Sequence, residues 1–333
     1  MRLCILISTL AAQRPHFTTF YLAREALARG HEVVVAQYAD LGLDIRGEPI
    51  ARVAHVGDAR PSQTEYLEAL HAAWAEGETR ALGEFDCFWV RTDWPELTRM
   101  GHHLGPQTVV QFARLLEARN VRVIPDVRAL GMGDSKLYLD QFPLTLRPRS
   151  IVTLSHADIK AFAAEVGGTV VLKPAIGAEG KHVFLYRLDA PENANQIFEV
   201  LAASGHIYAQ EYVDERPRRS IRVFLFNGAP LQHQGKHACV MLTAADGDLR
   251  SNAANGGTPT ATDLSERVLA AARPIAAQLA ADGFYLSAID VVGERVIEVN
   301  QMNVGGMRAA ERFAGVNFSA HVIAVLESEL AAR

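Results

Sequence analysis

The chain has 333 residues, a formal net charge of −5, 49% hydrophobic residues and 21% charged residues. This balance is typical of a soluble globular protein, and the length suffices for about two or three domains. The mild negative charge argues against a nucleic-acid-binding surface, which would concentrate Lys and Arg. No apolar stretch approaches the ~20 residues needed to span a bilayer, so no membrane partner is expected.

The three cysteines, Cys4, Cys87 and Cys239, lie far apart without a CxxC spacing. An odd count without metal or framework spacing predicts a reducing, cytoplasmic compartment. Cys4 and Cys87 lie in apolar, strand-like runs, where a free thiol usually behaves as a small buried hydrophobe. We therefore do not expect a catalytic thiol.

The first residues, MRLCILISTLAAQ, resemble a signal peptide because one arginine precedes an apolar run. The run continues into the amphipathic segment FTTFYLAREALARGHEVVVAQY without an obvious processing boundary. We therefore expect a buried first strand, a helix that ends at Gly30, and a second strand at Glu32–Ala36.

The rest of the N-terminal third continues to alternate between strand and helix. An apolar run at Phe85–Arg91 is followed by helical spacing at Val109–Arg119 and by a short strand at Val121–Ile124. Such alternation predicts a parallel sheet flanked by helices. There is no GxGxxG after the first strand, so a dinucleotide site is not indicated.

The middle of the chain has a different pattern. A β-branched strand, Thr169–Lys173, is followed by the glycine-containing loop Ala175–Lys181 and by a second strand, His182–Arg187. Two strands joined by such a loop can close over a ligand, because glycine allows close backbone approach. Further strands are predicted at Ile207–Val213 and Ile221–Phe226.

The strongest local signal is the hairpin AIDVVGERVIEVNQ near the C-terminus. Side chains at i and i+2 of a strand face the same side, so Glu298 and Asn300 project together, and the turn brings Asp290 alongside them. Three oxygen-bearing side chains on one face suit Mg²⁺ together with nucleotide phosphates. Taken by itself, this hairpin is explained equally well as an acidic strand with a solvent-exposed face.

Cationic residues provide a second signal. Lys173 ends an apolar strand, and Lys136 lies at a predicted helix start, where both could neutralise phosphoryl oxygens or simply lie at the surface. The loop Arg250–Thr258 is rich in Asn and Gly and suits an anion, although it can also be an ordinary polar loop. Arg222 could clamp a carboxylate or phosphate, or form a surface salt bridge.

Taken in order, these motifs resemble the ATP-grasp ligases, and within them most closely the bacterial glutathione synthetase family. The resemblance spans roughly residues 134 to 318, which is most of the last two thirds of the chain. The matching stretches are DSKLYLDQF, VVLKPAIGAEGKHVFLYR, YAQEYVDE, IRVFLFNGAP, RSNAANGGTPTATDLSE and AIDVVGERVIEVNQMNVGGMRAAERFAGVNF.

The resemblance implies an α/β fold, α+β in its ATP-binding part, with three domains. Residues 1–130 would form a Rossmann-like, parallel-sheet substrate domain. Residues 131–213 would form the central ATP-grasp lid, and residues 214–333 the C-terminal ATP-grasp domain with the Mg²⁺ and substrate sites.

The resemblance also implies site residues, each with a role. Contacts to ATP would come from Lys136, Lys173, Gly177, Gly180, Gln210, Glu211, Tyr212, Val213 and Asp214. Magnesium would be held by Asp290, Glu298 and Asn300. Arg222, Arg250 and Asn252 would stabilise the reacting acyl phosphate. Substrate would be contacted by Arg91, Asp93, Asn303, Gly305 and Gly306.

The activity implied is an ATP-dependent carboxylate–amine ligase that acts through an acyl phosphate and releases ADP and phosphate. Its substrates would be γ-glutamylcysteine and glycine or a related small acid and amino acid. The expected cofactors are ATP and two Mg²⁺ ions, for which Mn²⁺ can substitute, and the expected assembly is a dimer or tetramer. Alternatives are a ligase that adds amino acids to a peptide or protein terminus, a non-catalytic nucleotide-binding protein and a kinase.

Some positions depart from the family pattern, mainly where substrate would be contacted. Glu179 adds a charge to the glycine loop, and QMNVGG follows Asn300 where the family has a threonine-serine-proline run. Ser220 replaces an expected aspartate at the ribose, so Asp214 or Glu215 could serve there. Lys236 or His237 could replace a missing second arginine. This pattern predicts a conserved reaction with a changed substrate.

Overall fold

The computed structural model describes residues 1–133, 135–177, 180–190, 193–245 and 256–333. Its first part is a six-stranded sheet covered by helices on both faces. The strands are β1 (Arg2–Ile7), β2 (Glu32–Leu43), β3 (Pro49–His55), β4 (Glu78–Ala81), β5 (Cys87–Val90) and β6 (Arg122–Ile124). The helices are α1 (Thr18–Ala28), α2 (Gln63–Trp74), α3 (Trp94–Arg99), α4 (Gly105–Glu117) and α5 (Val127–Met132).

The order of this sheet is β4-β3-β2-β1-β5-β6. Strands β2, β1, β5 and β6 are parallel, as predicted, whereas β3 runs antiparallel to both of its neighbours, β2 and β4, so the sheet is mixed. Strands β2 and β3 are joined by a tight turn in which the Asp44 carboxylate accepts the N–H groups of Arg46 and Glu48, both at 2.8 Å. Gly47 supplies a positive φ of 78°. So short a connection permits only an antiparallel pair.

Strand β1 lies in the middle of the sheet and is buried on both faces. Its alternate residues enter two different cores, with Leu3 and Ile5 on one side and Cys4 and Leu6 on the other. A central parallel strand has this continuous apolar character. The prediction of a buried first strand is therefore confirmed.

The middle of the chain forms a four-stranded antiparallel sheet, which we call the lid, with the order β7-β10-β8-β9. Its strands and helices are β7 (Ser150–Thr153), α6 (His156–Glu165), β8 (Thr169–Pro174), β9 (Phe184–Arg187), α7 (Ala194–Ala202) and β10 (Ile207–Glu211). A 3-10 helix, Lys136–Gln141, precedes the lid and begins at the predicted lysine.

The last part forms a third sheet, again antiparallel, with the order β16-β15-β11-β17-β18, and β12 pairs with β11. The strands are β11 (Arg219–Phe226), β12 (Ala229–Pro230), the separate pair β13 (Gln232–His233) and β14 (Lys236–His237), β15 (Cys239–Thr243), β16 (Thr258–Thr260), β17 (Leu286–Val292) and β18 (Arg295–Asn300). The helices are α8 (Glu266–Ala281), α9 (Met307–Ala314) and α10 (Phe318–Ala331).

The hydrophobic cores show how the sheets are joined. Two large cores each combine residues of the first sheet with residues of the third, such as Leu6 with Ile289 and Ile5 with Phe224. The lid has a separate core whose buried residues run from Ile159 to Ala209. The first and third sheets thus share their cores, while the lid packs largely on itself; the domain boundaries at 130 and 213 stay a prediction.

The cysteines are free and buried, and burial raises the pKa of each thiol: to about 12 for Cys87, to about 11 for Cys239, and upward also for Cys4. The prediction that Cys4 and Cys87 are buried is confirmed. Within the described ranges, no helix combines the length and apolar character needed to cross a bilayer.

Candidate active site

A cavity of about 470 Å³ lies where the three sheets meet, and each sheet contributes to its wall. Among the described residues predicted for the site, all except Asp214 line it: Arg91, Asp93, Lys136, Lys173, Gly177, Gly180, Gln210, Glu211, Tyr212, Val213, Arg222, Asp290, Glu298, Asn300, Asn303, Gly305 and Gly306. Arg250, Asn252 and Glu179 lie outside the described residues.

The third sheet places three charged residues in one row. Arg222 on β11 lies opposite Asp290 on β17, and Asp290 lies opposite Glu298 on β18. Directly paired residues share a face of the sheet, and Asn300 shares it because it is two positions further along β18. The predicted convergence of Asp290, Glu298 and Asn300 is therefore present in the structure.

Arg222 holds Asp290 in a two-pronged ion pair. Its Nε donates to Oδ1 at 2.8 Å and its Nη2 donates to Oδ2 at 2.7 Å, while its Nη1 donates to the carbonyl of Gly305 at 3.3 Å. Asn300 Nδ2 also donates to Asp290 Oδ2, at 3.2 Å. Burial acts to lower the pKa of Arg222, but the charge of Asp290 outweighs it and raises that pKa.

Lys136 contacts the second carboxylate of the row. Its Nζ lies 3.2 Å from Glu298 Oε1 and donates to the carbonyl of Gly177 at 2.7 Å. Burial acts to raise the pKa of Glu298, but the positive charges of Lys136 and Lys173 outweigh it and lower the pKa to about 2. Glu298 is therefore ionised at neutral pH.

Lys173 and Gln210 connect the lid to the third sheet. A register shift after Asp290 leaves Ile297 as an extra residue in β18. The carbonyl of Ile297 accepts Lys173 Nζ and Gln210 Nε2, each at 3.3 Å. Lys173 is only 5% exposed, and this burial lowers its pKa to about 8, although the Glu298 charge acts in the opposite direction.

The oxygen-bearing row fits a hard divalent cation. Asp290 and Glu298 supply carboxylates and Asn300 an amide oxygen, and such oxygens are the ligands that Mg²⁺ takes beside phosphates. The described residues include no group of three or more His, Cys, Asp or Glu placed to hold a metal. The set therefore depends on the amide and on further oxygens from a bound nucleotide.

The cavity wall also contains a buried arginine. Arg91 is 4% exposed, and its hydrogen-bond partners among the described residues are neutral: Thr19 Oγ1 and the carbonyl of Val304, both at 3.2 Å. Burial lowers the pKa of Arg91 to about 9. Thr18 and Thr92 also line the cavity and are each 1% exposed, and neither hydroxyl has a hydrogen-bond partner in the part of the chain that the structure describes. A buried cation with neutral partners favours an anionic ligand.

Two adjacent glycines line the cavity beside Arg222. Gly306 has a φ of 101°, and a Cβ there would lie 3.8 Å from Arg222 Cδ. A Cβ on Gly305 would meet nothing within 4 Å, so the position has open space. The loop that departs from the family pattern thus leaves room beside Arg222.

The segment 210–213, which was predicted to contact ATP, is held by charge at Glu211. Glu211 Oε2 lies 3.3 Å from Arg149 Nε and 3.5 Å from Arg295 Nη1. Burial acts to raise the pKa of Glu211, but its bonds to Arg149 outweigh it and lower that pKa. The Glu211 side chain is therefore already occupied by two arginines.

The structure does not bring every suggested residue to the cavity. Asp214 is not among the lining residues, and its side chain is 56% exposed and pairs with Arg216 at 3.3 Å. Glu215 and Ser220 do line the cavity. Lys236 and His237 lie on β14 and are not among the lining residues.

Sequence reasoning missed several cavity residues of the first sheet's loops. His16, Thr18 and Thr92 line the cavity, yet none belongs to a recognisable motif. Thr92 could have been found from its position next to Arg91 at the end of an apolar strand. His16 and Thr18 carry no local signal, since only the tertiary fold brings the start of α1 to the site.

The fold is the ATP-grasp fold. The structure is similar to D-cycloserine synthetase, with a TM-score of 0.65 and 17% identity over 98% of this chain and 99% of that one. It is also similar to a RimK domain ATP-grasp protein from Sphaerobacter thermophilus, with a TM-score of 0.60 and 18% identity over 97% and 98% of the two chains.

Sequence comparison narrows the class. The family models of the prokaryotic glutathione synthetase N-terminal domain and ATP-grasp domain match residues 1–130 and 135–315. Glutathione synthetase of Synechococcus elongatus is 29% identical over 98% of both chains, and that of Bordetella parapertussis is 31% identical over 82% of this chain and 81% of its own. The chain belongs to the prokaryotic glutathione synthetase family, and it is an ATP-dependent, amide-bond-forming ligase of that type. The family uses ATP and a divalent metal.

Proposed function

We propose that this ligase joins a small carboxylic acid to an amino acid, with γ-glutamylcysteine and glycine or a closely related pair as its substrates. One observation carries the proposal: a single cavity is lined both by lysines and carboxylates suited to nucleotide phosphates and by the buried Arg91. Because its partners are neutral, Arg91 would recognise a non-reacting carboxylate of the acid substrate.

In the proposed nucleotide site, Lys136 and Lys173 would neutralise phosphoryl oxygens of ATP. Asp290, Glu298 and Asn300 would hold two Mg²⁺ ions, for which Mn²⁺ can substitute. When bound, the metal supplies charge neutralisation and alignment of the phosphates.

The reaction needs no protein nucleophile. The substrate carboxylate attacks the γ-phosphorus of ATP, so that an acyl phosphate forms and ADP leaves. The amine then attacks the acyl carbon, the amide bond forms, and inorganic phosphate leaves. Arg222, which donates to the Gly305 carbonyl in the cavity wall, would stabilise the charge that develops on the acyl phosphate. The same role is proposed for Arg250 and Asn252.

Phosphate release with ATP and Mg²⁺ tests the proposal across pairs of amino acids and γ-glutamyl dipeptides, with hydroxylamine present in a parallel series. We expect one acid to give a hydroxamate and one acid–amine pair to release phosphate at the highest rate. If ATP binds and no acid yields a hydroxamate, the acyl-phosphate route is wrong. If γ-glutamylcysteine and glycine do not react while another pair does, only the named substrates are wrong.

The role of Arg91 has its own test. Arg91→Met should lower kcat/KM for the acid by about 100-fold, since a charge-assisted pair in a buried site is lost, while the Kd for ADP stays unchanged. Arg119→Met serves as the matched control, because Arg119 pairs with Glu48 at 3.0 Å and does not line the cavity. An unchanged kcat/KM in Arg91→Met would remove Arg91 from the substrate site.

The assembly and location of the protein are also proposals. The family resemblance favours a dimer or tetramer, which size-exclusion chromatography with light scattering would measure. A cytoplasmic location is supported by three free thiols rather than disulfides.

A further inference from the structure

The two carboxylates of the proposed metal site are already covered by the protein's own cations. Arg222 takes both oxygens of Asp290, at 2.8 and 2.7 Å, and Lys136 lies 3.2 Å from an oxygen of Glu298. A divalent cation that binds Asp290 must therefore compete with a guanidinium for the same atoms.

The Arg222–Asp290 pair is set by the sheet rather than by chance approach of surface side chains. The two residues face each other across β11 and β17, and both side chains are largely buried. The Lys136–Glu298 pair differs, because a single flexible ammonium makes one contact to the carboxylate. Of the two carboxylates, Asp290 is thus the more strongly occupied.

Charge also disfavours a metal entering alone. Three cations, Arg222, Lys136 and Lys173, lie around Asp290 and Glu298, so a further cation adds to a positively charged cluster. Nucleotide phosphates would reverse this balance. A phosphoryl group accepts a guanidinium in the same two-pronged geometry as a carboxylate, so it can take Arg222 away from Asp290.

We propose that Arg222 gates metal binding: it occupies Asp290 until a phosphoryl group draws it away, so that nucleotide and divalent cation bind with strong mutual coupling. The inference rests on the nucleotide and metal roles proposed above. Reciprocity requires that the metal strengthen nucleotide binding by the same factor.

The test is Mn²⁺ binding to the full chain, measured by electron paramagnetic resonance without nucleotide and with saturating ADP. In the unchanged protein, ADP should strengthen Mn²⁺ binding by roughly 10- to 100-fold. In Arg222→Gln, Mn²⁺ should bind about 10-fold more tightly without nucleotide, and the effect of ADP should shrink correspondingly. Arg222→Lys, which retains charge but cannot bind both oxygens, should fall between the two.

Arg267→Gln is the matched control, because Arg267 forms an exposed ion pair with Glu294 at 2.7 Å and does not line the cavity. It should leave Mn²⁺ binding unchanged. A thermal melt establishes which variants fold, and Arg222→Lys decides the matter if Arg222→Gln does not fold. Nucleotide-free Mn²⁺ binding that stays unchanged in the folded Arg222 variant overturns the gate.

A further variant separates this proposal from the metal site itself. Asp290→Asn should remove the Mn²⁺ binding that depends on ADP. If that binding is lost while the Arg222 variants behave like the unchanged protein, the gate alone is wrong. If Asp290→Asn binds Mn²⁺ normally, the proposed metal role of Asp290 fails and the gate fails with it.

Discussion

Glu298 lies where the proposed nucleotide and metal contacts meet, beside Lys136 and in the same row as Asp290. We expect Glu298→Gln to lower turnover by roughly 100-fold or more, because a metal-binding carboxylate is lost and Lys136 loses its counter-charge. Phosphate release at saturating substrates measures this, and a thermal melt within a few degrees of the unchanged protein would show a retained fold. Near-normal turnover would contradict the assignment.

Lys173 gives a prediction about pH. Burial lowers its pKa to about 8, so the side chain is charged at pH 7 and loses its charge as the pH rises through 8. Since only the charged form attracts phosphate, the Kd for ADP should rise between pH 7 and pH 9. Isothermal titration calorimetry can follow this.

The matched variant for that pH series is Lys173→Met, which keeps the stem and removes the charge. It should bind ADP weakly at pH 7 and show little change up to pH 9. A pH dependence that persists unchanged in Lys173→Met would assign the titration to another group.

Local sequence patterns predicted the convergence of Asp290, Glu298 and Asn300, but not the residues that surround them. Glu298 and Asn300 follow from strand alternation, and Asp290 follows from a short hairpin, so a few adjacent residues contain the information. The pairing of Arg222 with Asp290 needs the partner of β17 to be known, and sequence does not supply it. Thr18 comes from a distant loop and carries no pattern.

At the scale of elements, the lid is expected to be a separate unit of stability. Leu201 on α7 is fully buried in the lid's own core, which is separate from the two cores of the first and third sheets. Leu201→Ala should cost about 2–5 kcal/mol of the lid's stability, because a cavity remains in a closed core. Hydrogen exchange should speed up within residues 151–211 and stay slow in β1 and β17.

The corresponding control is Leu326→Ala on α10, in a core that joins the first and third sheets. Its effect on exchange should appear in those sheets rather than in the lid. Equal acceleration throughout the chain in both variants would mean that the lid unfolds only together with the rest.

Element identity was predictable where apolar runs are long, and sheet topology was less so. Strand β1 and the hairpin β17–β18 appear in the predicted segments. The reversed direction of β3 was missed because the deciding feature is the Asp44 turn between β2 and β3, whose signal is a few polar residues. Alternation of strand and helix indicated the parallel part correctly, since that pattern extends over many residues.

At the scale of the whole molecule, the shared cores argue against independent folding of the first 130 residues. Both faces of the first sheet share a core with residues of the third, including Ile289 and Phe224. We expect a fragment of residues 1–130 to lack a cooperative thermal transition, because much of its apolar surface would be exposed. Circular dichroism during heating measures this, and a sharp transition in the isolated fragment would contradict it.

The extra residue in β18 has a consequence for how the hairpin could change over evolution. Val296 and Val299 are both buried although they are three positions apart, which strict alternation along a strand does not allow. Ile297 is therefore the extra residue of a β-bulge, which shifts the alternation of side chains between the turn and the site. Without Ile297, Glu298 would still lie opposite Asp290, but the carbonyl that receives Lys173 would be gone. The contact between Lys173 and the third sheet therefore depends on Ile297, whereas the pairing of Glu298 with Asp290 does not, so the two features could change independently.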